Sequence, residues 1–289
     1  MFQGSMVAVV TPMNMDGSLD IARFKDLLDF HIQSHTDGIV VVGTSGEAPT
    51  VDFDEHTFLI KEAINFIQGR IPVIAGTGAN STKEAIFLTN QAKELGADAC
   101  LLVTPYYNKP NQSGLFEHYK AVNDAVKIPQ ILYNVPFRTA VDIENDIVIK
   151  LSYLENIIGI KDATGDLGRI DFLVNQVEKE FIFISGDDLS FLEYIKKGGT
   201  GVISVTANIR PELMHQICNA AVNKNYQEAQ LLNKKLEKLH EAMFVESNPI
   251  PVKWLLSYLG KVQPSIRLPL VELNKDYHQT LINAFKASE

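Results

Sequence analysis

Short apolar runs rich in β-branched residues recur along the chain at fairly regular intervals. They are MVAVV from Met6, GIVVVG from Gly38, IPVIAG from Ile71, CLLVTP from Cys100, PQILYN from Pro129, IIGIKD from Ile157, FIFISG from Phe181 and GVISV from Gly201. Consecutive rather than alternating apolar positions are the pattern of strands covered on both faces. Between these runs apolar residues fall at helical spacing, as in LDIARFKDLLDFHIQSH. STKEAIFLTNQAKELGAD opens with Ser81 and Glu84 at Ser-x-x-Glu spacing, which predicts a capping box. Strands alternating with helices predict a parallel sheet, and eight such units can close into a (β/α)8 TIM barrel. An open doubly wound sheet is the rival. It usually carries a glycine-rich turn after its first strand, where this chain has Thr11-Pro12-Met13.

After the eighth run the pattern changes. From about Arg210 the sequence reads as helical throughout: PELMHQICNAAV, YQEAQLLNKKLEKLHEAMF, PIPVKWLLSYLG and a final amphipathic piece. The first of these is expected to be the last barrel helix. The division is then a catalytic barrel over residues 1–224 and a C-terminal α-helical appendage over 225–289, without a low-complexity linker between them.

Length and charge narrow the function. A chain of 289 residues suits such a barrel. Its net charge of −9 comes without any basic block, which argues against nucleic acid or an anionic membrane surface as the partner. No run approaches the roughly 18 apolar residues of a membrane span. The N-terminal apolar run lacks a preceding Lys or Arg and is short for a signal core, so it reads as the first strand. Cys100 and Cys218 lie far apart in apolar company; they are expected to be reduced core thiols of a cytoplasmic protein.

In this architecture chemistry gathers where strands end. The ends carry mostly hydroxyls, and one of them carries Lys161. A lysine held among apolar strand residues loses hydration, which disfavours the ammonium form, and the neutral amine is a nucleophile that can form an imine with a ketone. The alternative is a lysine that reaches to water from the strand end or pairs with Asp162. Tyr133 ends the preceding strand and could shuttle protons to such an imine, or could simply fill the barrel. GTSGEAPT lacks the ending of a phosphate-binding loop; its exposed N–H groups and the Thr44 and Ser45 hydroxyls suit a carboxylate. Asp187 and Asp188 after the seventh run disfavour a phosphorylated substrate. With Glu47 and Asp162 they make a metal-dependent enzyme a rival reading, although no metal site is expected. His31 and His35 read as surface helix residues, with no Glu between them.

Five motifs taken together resemble the dihydrodipicolinate synthase family, within the pyruvate-dependent class I aldolase and lyase superfamily. They are GTSGE (Gly43 to Glu47), TPYYNKP (Thr104 to Pro110), YNVPFRT (Tyr133 to Thr139), GIKDATGD (Gly159 to Asp166) and GVISVTAN (Gly201 to Asn208), followed by SNPIPVKW from Ser247. The resemblance covers nearly the whole chain. It implies that pyruvate and L-aspartate 4-semialdehyde condense through a Schiff base on Lys161, without a cofactor, in lysine and diaminopimelate biosynthesis. Tyr133, Thr44 and Tyr107 would relay protons, with Tyr107 supplied by a neighbouring subunit of a homotetramer built as a dimer of dimers. Thr44 and Ser45 would hold the pyruvate carboxylate, Gly186 and Ile203 would line its pocket, and Arg138 would meet the carboxylate of the semialdehyde. N-acetylneuraminate lyase or a keto-deoxy-sugar acid aldolase is the alternative within the superfamily; a neutral polyol substrate does not need Arg138.

Two positions depart from the family pattern: Ser45 stands for a threonine, and Asp162 for a glutamate. His56, Asn80, Glu84 and Tyr106 match positions that bind lysine in inhibited members, while Ala48 and Phe53 replace polar residues often found there. Glu84 has a competing role as the capping partner of Ser81.

Overall fold

The computed structural model of the protein describes residues 2–178 and 180–289. Eight strands follow the eight apolar runs: β1 Gly4–Ala8, β2 Gly38–Val41, β3 Val73–Gly76, β4 Ala99–Val103, β5 Gln130–Asn134, β6 Ile157–Asp162, β7 Ile182–Ser185 and β8 Gly201–Ser204. All neighbours pair parallel in sequence order, and β8 returns to β1 through Met6↔Ile203 and Val7↔Ser204. The open-sheet rival is thereby excluded, because an open sheet keeps two edges.

The two-faced burial has a direct cause. Side chains alternate across each strand, so Met6 and Ala8 enter the barrel interior with Val40, Ile74, Leu101, Ile131, Ile184 and Ile203. Val7 and Val9 point outward and join Phe24, Leu28, Leu59 and Ile60 of the surrounding helices.

Those helices are α1 Ile21–Gln33, α2 Phe53–Ile67, α3 Thr82–Leu95, α4 Gln112–Ala125, α5 Pro136–Thr139, α6 Asn145–Ser152, α7 Leu167–Leu173, α8 Phe191–Lys196 and α9 Pro211–Val222. Four more follow: α10 Tyr226–Asn233, α11 Glu237–Ala242, α12 Ile250–Tyr258 and α13 His278–Ala287. Leu236, Leu239, Val252, Leu255 and Leu281 from these last segments belong to the same buried cluster as β1 and α1.

Three expectations are corrected. Ser81 does occupy the N-cap of α3, but its side chain caps nothing, so the box with Glu84 is absent. A complete capping box forms instead on α2, between Asp52 and Glu55. The C-terminal region is not helical throughout. A turn at 234–236 separates α10 from α11, letting Leu236 reach the core while His240 bonds Thr206. Residues 259–274 are largely irregular because Gly260 (φ 71°), Pro264 and Pro269 break the helix. The segment docks on the barrel, with Ser265 Oγ donating to the carbonyl of Asn14 at 2.7 Å and Gln263 Nε2 to Asn14 Oδ1 at 3.0 Å. Finally, His31 is fully buried rather than at the surface, with Nδ1 3.1 Å from Thr36 Oγ1. Burial pushes its pKa down to about 3.

Candidate active site

Lys161 and Tyr133 are register partners on β6 and β5, and both point into the barrel. Lys161 is only 5% exposed, and its Nζ lies 4.1 Å from the centroid of the Tyr133 ring. Strand alternation sends the next residue, Asp162, to the opposite face, so the two do not pair. The Asp162 carboxylate instead accepts from Arg169 Nε at 3.0 Å and from the Thr164 N–H at 2.9 Å. Arg169 also donates to the carbonyl of Ile143 at 2.6 Å and to Asp142 at 3.3 Å, bracing the ends of β5 and β6 from outside. Among the described residues Lys161 has no carboxylate partner.

Gly186 borders the lysine stem. A Cβ there would fall 2.9 Å from Lys161 Cε and 3.2 Å from its Cγ. Ile203 is buried beside Tyr133 and Ile184 inside the barrel.

The loop after β2 is folded tightly. Val42 (φ 54°) and Glu47 (φ 59°) both adopt left-handed backbone, which a β-branched residue rarely does. The Glu47 N–H closes a turn onto the Thr44 carbonyl at 3.2 Å, and Gly46 N–H onto Gly43 at 3.0 Å. The N–H groups of Thr44 and Ser45 are left without a partner among the described residues. The Ser45 hydroxyl is fully buried and accepts from Asn248 Nδ2 at 3.0 Å. Asn248 also offers its carbonyl to Arg138 Nη2 at 3.0 Å.

A cavity of about 550 Å³ opens at this end of the barrel, lined by Thr44, Tyr133, Arg138 and Lys161 and extending to His56, Glu84 and Tyr106. His56 Nε2 donates to the Gly76 carbonyl at 2.7 Å, and burial holds its pKa below the ordinary range, so the ring is neutral with the proton on Nε2. Burial, and then the nearby Glu84 carboxylate, raise the Tyr106 phenol. With no capping role, the Glu84 carboxylate is free to line the cavity.

Ser45, Gly186, Ile203, Tyr107 and Asn80 lie outside the lining. Tyr107 turns outward on left-handed backbone (φ 72°) and is 91% exposed. Asn80 is half-buried, with its carbonyl accepting from Asn108 Nδ2 at 2.8 Å. The four acids of the metal reading diverge: Asp187 holds Ser190 at 2.5 Å, Asp188 accepts from the N–H and hydroxyl of Thr206, Asp162 holds Arg169, and Glu47 pairs with Lys253.

Three residues near the site were assigned no role from the sequence. Asn248, Lys253 and Arg267 come from the C-terminal region and act on the loop after β2. Burial pushes the Lys253 ammonium below its usual range, partly countered by Glu47. Arg267 N–H donates to Glu47 Oε2 at 3.0 Å, and its guanidinium grips Glu55 through two contacts of 2.6 Å. The motif containing Asn248 and Lys253 was visible, but its partners lie some two hundred residues upstream.

Comparison with known proteins agrees with this geometry. Residues 1–288 match the model of the dihydrodipicolinate synthetase family. The 4-hydroxy-tetrahydrodipicolinate synthase of Nitrosospira multiformis is 56% identical over 98% of this chain and 94% of its own. Chloride-inhibited dihydrodipicolinate synthase from Acinetobacter baumannii, crystallised with pyruvate, superposes with a TM-score of 0.98 at 52% identity, covering 100% of this chain and 99% of the other. The enzyme from Cyanidioschyzon merolae, solved with lysine bound, has a TM-score of 0.96 at 34% identity, covering 99% and 98% of the two chains. The chain therefore belongs to the dihydrodipicolinate synthetase family.

Proposed function

We propose that this barrel condenses pyruvate with L-aspartate 4-semialdehyde through an imine on Lys161. The observation that carries the reading is a buried amine, unpaired with any described carboxylate, held against the Tyr133 ring on the wall of a cavity. Lys161 Nζ attacks the pyruvate ketone and water leaves. The protonated imine withdraws electrons, so a methyl proton is released and an enamine forms. The enamine carbon attacks the aldehyde, and the amine of the semialdehyde displaces Lys161 as the ring closes. The products are 4-hydroxy-tetrahydrodipicolinate and one water.

Each side chain has a supporting observation. The unpartnered N–H groups of Thr44 and Ser45 suit the pyruvate carboxylate. Tyr133 and Thr44 share the cavity with Lys161 and serve the proton relay. Arg138, at the cavity edge, suits the carboxylate of the semialdehyde and favours that substrate over a neutral polyol. Gly186 borders the lysine stem and Ile203 is buried in the interior cluster with Tyr133, which suits both to positions behind the amine. Tyr107 projects outward, as a residue completing the relay of a second copy would, within a homotetramer. We place the enzyme in the cytoplasm, consistent with two buried free cysteines and a biosynthetic reaction.

Borohydride reduction in the presence of pyruvate, followed by peptide mass mapping, tests the reading. A single adduct on Lys161 is expected; none, or one on another lysine, overturns it. Activity that survives chelator treatment separates the imine from the metal reading.

The far end of the same cavity supports lysine as an inhibitor. Glu84 offers an anion to an ammonium group, with His56 and Tyr106 beside it on the same wall; Asn80 lies outside this lining.

A further inference from the structure

The buried ion pair between Glu47 and Lys253 is removed from the chemistry, yet it grips the loop that faces the substrate. Glu47 is 2% exposed and Lys253 is 4% exposed. Taking two charges out of water is costly, and an apolar pair of the same volume often serves stability as well. A stability role is therefore a weak explanation for the pair.

Its position suggests another. Glu47 holds left-handed backbone (φ 59°), a conformation that is costly for a non-glycine residue and persists only where its surroundings hold it. Its carboxylate is pinned on both oxygens, by Lys253 Nζ and by the Arg267 N–H. Its own N–H closes the turn onto the Thr44 carbonyl, and Thr11 Oγ1 holds the Gly46 carbonyl at 2.7 Å. That turn presents the two unpartnered N–H groups. Five residues before Lys253, Asn248 bonds the Ser45 hydroxyl of the same turn. The C-terminal segment thus grips both ends of the turn.

We propose that Glu47 and Lys253 are positioning residues for carboxylate binding, holding the Thr44–Ser45 turn in the geometry that accepts pyruvate. The inference rests on the imine reading above. It makes the C-terminal segment part of the active-site scaffold, acting through the loop rather than on the reacting atoms.

The test is the double variant E47Q/K253M, which keeps volume and removes both charges. Expected is a rise of about tenfold in pyruvate KM, matching loss of one well-placed hydrogen bond, with kcat at saturating pyruvate within about threefold of the parent. The pyruvate concentration that half-saturates borohydride trapping should rise by the same factor. Unchanged KM and half-saturation with a lowered melting temperature would reduce the pair to a structural role and overturn the proposal. Glu47→Asp carries the same test if the double variant fails to fold: it keeps both charges and withdraws the carboxylate by one methylene, and a rise of a few-fold in KM is expected. An absent pyruvate adduct in the parent enzyme would instead sink the imine reading itself.

Discussion

A Cβ placed on Gly186 would lie 2.9 Å from Cε of Lys161 and 2.7 Å from the Cβ of Ala163. The lysine stem and the loop after β7 are in contact because residue 186 has no side chain. Gly186→Ala should displace the amine by a fraction of an ångström to about one ångström, and misplacement on that scale costs about a hundredfold in rate. Steady-state kcat/KM for pyruvate, with a folding control by circular dichroism, is the measurement. Near-parental activity would show that the lysine has room to spare.

Arg138 stands at the cavity edge with one guanidinium nitrogen held by the Asn248 carbonyl. Arg138→Ala should lower kcat/KM for the semialdehyde by about 30- to 100-fold, the loss of a charge-assisted contact to carboxylate. Pyruvate trapping on Lys161 should change by less than about threefold. Equal losses for the two substrates would contradict the assigned role.

Glu84 lines the cavity instead of capping α3. Glu84→Gln should leave the melting temperature within about 2 °C, because no cap is lost. Inhibition by lysine should weaken by more than about tenfold, as expected when a charge partner is removed. Loss of stability with unchanged inhibition would restore the helix-end role and remove Glu84 from the lysine site.

His31 sets part of the acid sensitivity. Its folded pKa of about 3 lies below the unfolded value near 6.5, so the unfolded chain binds the extra proton. Stability from this group is present above about pH 6.5 and is lost as pH falls towards 3. His118, buried beside Tyr119 with its pKa pushed down to about 4, adds to the same trend. Between pH 7 and pH 5 His31 alone should account for roughly 2 kcal/mol of lost stability. Urea unfolding of His31→Asn, which can keep a contact to Thr36, should show that much less dependence on pH; an unchanged slope would refute the account.

Strand positions, the barrel class and the pairing of Lys161 with Tyr133 were legible because they rest on local pattern. Every apolar run became a strand, and strand order made β5 and β6 neighbours. Helix ends were less legible. Ser-x-x-Glu at Ser81 and Asp-x-x-Glu at Asp52 offer similar capping chemistry, and only the second forms the box. His31 read as surface because its own helix says nothing about what surrounds it; the Lys261 charge that acts on it comes from the far end of the chain.

The sequence by itself determined the alternation of elements and which strand ends bear an amine, a phenol and hydroxyls, since these depend on residues adjacent in the chain. Only the tertiary structure decided that Asn248 meets Ser45 across 203 residues, that Lys253 meets Glu47 across 206, and that Gly186 makes room for Lys161. Such pairings are set by barrel closure and by the return path of the C-terminal segment. Their cause is the burial of faces and charges brought together over long separations, which local periodicity does not encode.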